Sequence, residues 1–145
     1  MAAGLTKTSE NWAIPLIRIA LGTIMFAHGA QKVFGWWGGS GFNQWINQAA
    51  PFQEMRPSWI WMGAAALSEL VGGTMVLIGL YTRIGAFLIS CVMLTAILGV
   101  HWRSGFFITA GGFEYPLALF GMAAALLIHG GGSASIDSQM QGGKK

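Results

Sequence analysis

The run "IGAFLISCVMLTAILGV", residues 84–100, carries no charged side chain. A soluble amphipathic helix would show a polar stripe recurring at the helical period, and this segment has none. That argues against a water-soluble four-helix bundle. A bilayer core about 30 Å thick is crossed by about 20 helical residues. Three further stretches are apolar enough to join this one. They run from about Trp12 to Phe34, Trp59 to Leu80 and Phe113 to Gly130, with the first run placed at about Ile84 to His101. The expected fold is an all-α integral membrane four-helix bundle. It forms a single domain over residues 1–145, with polar tails at 1–11 and 131–145 that read as flexible.

Composition agrees. Only 9% of residues are charged and 54% are hydrophobic. A soluble domain carries about 25% charged residues, enough to cover a wet surface. The basic residues Lys7, Arg18, Lys32, Arg56, Arg83, Arg103, Lys144 and Lys145 are scattered. They form no nucleic-acid footprint, and headgroup anchoring suits them better. Trp36, Trp37, Trp45, Trp59, Trp61 and Trp102 flank the expected membrane ends as an aromatic belt would. Cys91 is the sole cysteine, so neither an intrachain disulfide nor a CxxC pair is possible. The polar start "MAAGLTKTSEN" is not a signal-peptide pattern. The slight basic bias of the side holding both termini predicts a cell-membrane protein with cytoplasmic N- and C-termini.

Ionisable residues inside a bilayer are expensive, and normally face the bundle interior. In the first segment Arg18, Met25 and Lys32 recur every seven residues, and His28 lies one turn before Lys32. At a rise of about 1.5 Å per residue, His28, Lys32, His101 and Glu114 fall at one end of the bundle. Glu69 lies below them, and is expected either neutral or paired with Arg18 or His28. Glu69, His28, Lys32, His101 and Glu114 are therefore the candidate ligand or proton site. Trp36, Trp37, Tyr115 and Met25 are the candidate lining of a pocket between the first, second and fourth segments. Arg18 and Arg83 read as structural polar residues. Each also has a plainer reading, as a snorkelling cation, an interfacial residue or a buried polar lock. His28 and His101 come from different helices, but no spacing motif supports haem, and no metal-ligand cluster recurs. The sequence holds no self-sufficient catalytic set, so catalysis by the chain alone is not expected.

The ordered pieces "LIRIALGTIMFAHGAQKVFG", "LSELVGGTMVLIGLYTRIGA", "VMLTAILGVHW", "GGFEYPLAL" and "GGGSASID" resemble the DoxX/DoxD-type small membrane protein family from about Pro15 to Asp137. The resemblance implies a four-helix membrane protein in a redox neighbourhood. Some relatives are subunits of a thiosulfate:quinone oxidoreductase, and some are described as terminal quinol oxidase subunits. Others are linked to oxidoreductase complexes in oxidative-stress defence. The favoured expectation is a quinone- or small-lipid-binding accessory subunit of a membrane redox complex. A membrane protein partner would supply the electrons. The alternative is a structural or assembly subunit, with Gly72, Gly73 and Gly79 packing against partner helices. A small transporter or channel built by homo-oligomerisation fits less well, because four helices with no inverted repeat lack the usual plan.

Overall fold

A computed structural model describes residues 12–142. Lys7, Lys144 and Lys145, which entered the topology expectation, lie outside the described residues. The elements are α1 (Ala13–Phe34), α2 (Gly41–Ile46), α3 (Ser58–Ile78), α4 (Thr82–Thr95), α5 (Glu114–His129) and α6 (Ile136–Gly142). The helix of α4 runs on through a π-helical turn, Ala96–His101, and a 3-10 turn, Trp102–Ser104. No strand occurs among the described residues. Three helices are long and apolar enough to cross a bilayer: Ala13–Phe34, Ser58–Ile78 and Thr82–Ser104. The fourth, α5, has 16 residues. That is about 24 Å of helix, somewhat less than a bilayer core. The chain is a helical membrane bundle, as its apolar runs require.

The helix ends follow local chemistry. α1 stops at Gly35, whose φ of 72° suits a residue without Cβ, and whose N–H donates to the Gln31 carbonyl at 3.2 Å. Pro15 and Pro116 sit in the first turns of α1 and α5, where no intrahelical N–H is required. In lipid the hydroxyls must also find acceptors. Thr74, Ser90 and Thr95 each donate to the carbonyl four residues earlier, at 2.7, 2.8 and 2.9 Å.

Glycines set the register of the bundle. α1 and α3 run antiparallel with backbones nearly touching, Gly22 against Leu77, Phe26 against Gly73, and Gly29 against Leu70. A Cβ on Gly22 would stand 2.6 Å from the Leu77 Cα, so no larger residue fits without separating the helices. α3 meets α4 in the same way, where Gly72 and Gly85 face each other. Leu21, Met25, Val76, Ile89, Leu119, Ala123 and Leu126 fill the space between these contacts. Gly72, Gly73 and Gly79 are thus consumed by α4, α1 and the C-terminal segment. They do not form the face for partner helices that the alternative reading assigned to them.

The segment from Gly131 to Ser138 is a packed strap, and there it corrects the expectation of a flexible tail. Gly131 and Ser135 are buried. Arg18, buried in α1, donates through Nη1 to the Gly131 carbonyl at 3.0 Å and through Nη2 to the Ala134 carbonyl at 2.6 Å. Asp137 receives the N–H groups of Tyr81 at 2.7 Å and Thr82 at 2.9 Å, and the Thr82 hydroxyl at 2.7 Å. A carboxylate from a distant segment therefore caps the N-terminus of α4. Burial alone would raise the Asp137 pKa, but these hydrogen bonds and the neighbouring Arg18 hold it below the usual carboxylate range.

Candidate functional site

The register that packs α1 on α3 also chooses the partner of Glu69. Gly29 lies opposite Leu70, so Lys32, one turn further along α1, falls beside Glu69. The Lys32 ammonium donates to Glu69 Oε2. Arg18 lies about 16 Å back along α1 from Gly29, level with the end of α3, and reaches the strap instead. Glu69 therefore pairs with neither Arg18 nor His28. The Glu69 side chain is 5% exposed and that of Lys32 18%. Lys32 Nζ also stands 4.6 Å from the centroid of the Trp45 ring, a cation–π arrangement. Trp45 is fixed in turn, since its indole N–H donates to the Met62 carbonyl at 2.8 Å.

This pair forms part of the wall of a cavity of about 510 Å³. α1 contributes Lys32, and α2 and the following loop contribute Trp45, Gln48, Pro51 and Met55. α3 adds Trp61, Ala64, Ala65, Ser68 and Glu69, and α4 adds Cys91, Thr95, Val100 and His101. His101 belongs to the π-helical turn, a distortion frequently found at functional sites. Its Nδ1 lies 2.7 Å from the Gly111 carbonyl oxygen, which only accepts, so Nδ1 carries a proton there. In the neutral ring Nε2 is then the free acceptor.

Of the expected site, Glu69, Lys32 and His101 come together at this cavity. His28 does not line it. It is exposed on α1, facing Tyr115 with ring centroids 6.5 Å apart. Residues four apart on a helix are offset by about 40°, enough to turn His28 to α5 while Lys32 faces α3. Glu114 is committed elsewhere, accepting the Ile108 N–H at 2.8 Å and so holding the loop before α5. Trp36 and Trp37 are exposed and stack edge-on at 5.6 Å, in line with an interfacial belt. Met25 is buried in the core. The pocket wall is completed by α4 and the Trp45 segment, and not by α5.

A wider hollow of about 690 Å³ lies at the strap, lined by Tyr81, Arg83, His129, Asp137 and their neighbours. Two of its charged side chains are already engaged. Arg83 donates to the Ile128 carbonyl at 3.0 Å, and Asp137 caps α4. The Lys32–Glu69 cavity is therefore the candidate site, although the hollow at the strap is larger. Among the described residues, no three His, Cys, Asp or Glu side chains are grouped so that they could hold a metal ion.

Trp45, Ser68, Cys91 and Thr95 are lining residues that sequence reasoning missed. Cys91 and Thr95 are four apart in α4, and Ser68 adjoins Glu69. That helical spacing was the available signal. The family model described as DoxX matches residues 13–102, which include every helix that walls the cavity. No curated protein and no solved structure matches the chain.

Proposed function

The chain belongs to the DoxX family, and on that premise we propose that it binds a quinone or a small lipid of similar polarity as an accessory subunit of a membrane redox complex. The observation that carries this reading is the buried Lys32–Glu69 pair in the wall of a cavity of about 510 Å³. That volume is in the range of small-molecule sites, which combine apolar walls with a few fixed polar groups. The residues fit a quinone head: Lys32 and the Ser68 hydroxyl can donate to ring oxygens, and Trp45 offers an aromatic face. The bound quinone would supply reversible two-electron, two-proton chemistry.

The chain's own part is binding and proton handling. A ligand oxygen competes with Glu69 for the Lys32 ammonium. As Lys32 turns to the ligand, the buried Glu69 carboxylate is left with less compensation from its partner charge. His101, held through Nδ1, has Nε2 as a proton acceptor. Electrons come from a partner protein. The cell membrane with cytoplasmic termini remains the proposed setting, supported by the slight excess in the sequence of Lys7, Arg83, Lys144 and Lys145 over Lys32, Arg56 and Arg103 on the other side.

The test is titration of the purified protein in lipid nanodiscs with duroquinone, read by quenching of tryptophan fluorescence. Binding weakened in both Lys32→Met and Glu69→Gln supports the assignment. Binding unchanged in both removes it.

A further inference from the structure

The helices around the cavity are not parallel walls. α3 and α4 touch backbone to backbone at Gly72 and Gly85, where a Cβ on Gly72 would stand 3.0 Å from the Gly85 carbonyl oxygen. Beyond that contact, toward the Trp45 segment, both helices line the cavity. Among the side chains they present there, Ala64, Ala65 and Ser68 from α3 and Cys91 and Thr95 from α4 are small. Ala64 and Cys91 line the cavity and are exposed. Their flanks, Leu67 on α3 and Leu94 on α4, are exposed apolar residues within spans that meet lipid.

The loop side is built differently. The chain around Pro51 and Phe52 is seated on the π-helical turn, where a Cβ on Gly99 would stand 2.6 Å from the Pro51 Cβ and 2.9 Å from the Phe52 ring. Trp45 is tied to α3 beside it. Bulky, anchored residues thus cover the aqueous end, while small ones border the bilayer.

From this contrast we infer that the cavity opens laterally into the bilayer between α3 and α4, and that its ligand is an amphiphile. The polar head sits at Lys32 and Glu69, and a slender apolar tail leaves past Ala64 and Cys91 into lipid. This inference rests on the binding site proposed above and adds the ligand class and its route. A tail in that gap stays in hydrocarbon, so its transfer requires no exposure of apolar surface to water. The head, in contrast, exchanges headgroup hydration for the Lys32 ammonium donor, which suits a small uncharged head with oxygen acceptors.

Cys91 makes the route testable, because it is the sole cysteine and borders the gap. The protein in nanodiscs is titrated with duroquinone and with its homologue bearing a decyl chain in place of one methyl. Neither has a free ring position for thiol addition. Both titrations are repeated after alkylation of Cys91 with a cyclohexyl maleimide, and with Ala64→Trp as an independent obstruction. The expected result is that affinity for the decyl compound falls about tenfold or more in both obstructed forms, and by a larger factor than affinity for duroquinone. In Cys91→Ser the maleimide treatment should change neither affinity. Decyl binding that survives both obstructions overturns the lateral route and leaves the site standing. If neither quinone binds the unmodified protein, the site and the route fail together.

Discussion

Lys32 and Glu69 are partners because of glycine. The pair forms only where α1 and α3 approach closely enough for Gly29 to lie on Leu70 and Gly73 on Phe26. A carboxylate that is 5% exposed inside a membrane bundle needs a counter-charge, and this register delivers it. Trp45 then covers the ammonium from the other side.

Removing one member of the pair should hurt more than removing both. Lys32→Met leaves the Glu69 carboxylate buried without compensation, a loss of about 3 kcal/mol, somewhat less than for a fully buried pair because Lys32 is partly exposed. Lys32→Met combined with Glu69→Gln should recover much of this. Thermal unfolding of the two single variants and the double variant in one detergent gives the coupling. Additive losses would show that the two residues act independently.

Helix contact should be intolerant at one glycine and indifferent at another. Gly73→Ala drives a Cβ into the α1 backbone at Phe26 and should destabilise by about 1–3 kcal/mol. Gly121→Ala in α5 has open space around the new methyl, so its stability should stay the same or rise slightly. Midpoints of denaturation for the two variants should therefore move apart.

The strap should respond to acid. Folding lowers the Asp137 pKa, so its contribution is fully present above the unfolded carboxyl value of about 3.9. It is lost as pH falls through the lower folded value. Protection of the Tyr81 and Thr82 amides from hydrogen exchange should fall in that acid window. Asp137→Asn should show weakened protection already at neutral pH and a flatter acid limb. An acid limb as steep in Asp137→Asn as in the parent would reassign the effect to another carboxyl.

Arg18 should be irreplaceable by lysine. Its two terminal nitrogens reach two different carbonyls, of Gly131 and Ala134, and a single ammonium lacks that fork. Each charged hydrogen bond contributes about 1.5–3 kcal/mol. Arg18→Lys and Arg18→Leu should both make the strap near residues 131–138 readily cleaved by protease, with the membrane helices intact. Equal cleavage rates in parent and variants would contradict the assignment.

The apolar runs made the helices legible, since nothing else in the sequence competes with hydropathy over segments of that length. The site was half legible. Glu69, Lys32 and His101 stand out as ionisable groups at one end of the bundle, and the structure brings them to one cavity. The pairing was not legible, because helix–helix register depends on which small residues meet, and Gly22, Gly29, Gly72 and Gly73 offered several registers. The α4 wall was missed because Cys91 and Thr95 are small and chemically quiet within an apolar run. The strap was misread because "GGGSASID" has the composition of a linker, while its order comes from Arg18 and the α4 N-terminus, both far away in sequence.

The position of the strap also bears on the order of events during synthesis. Arg18 enters the membrane with α1, yet Gly131 and Ala134 follow it by 113 and 116 residues in the chain. Until then the guanidinium has no strap carbonyls to hold, and the α4 N-terminus has no Asp137. The inserted helices remain unlatched until residues 131–137 have been synthesised, and the bundle closes only after α5 has followed α1, α3 and α4. A ribosome stalled just short of the strap would thus leave an inserted but unsealed bundle for membrane quality control to find.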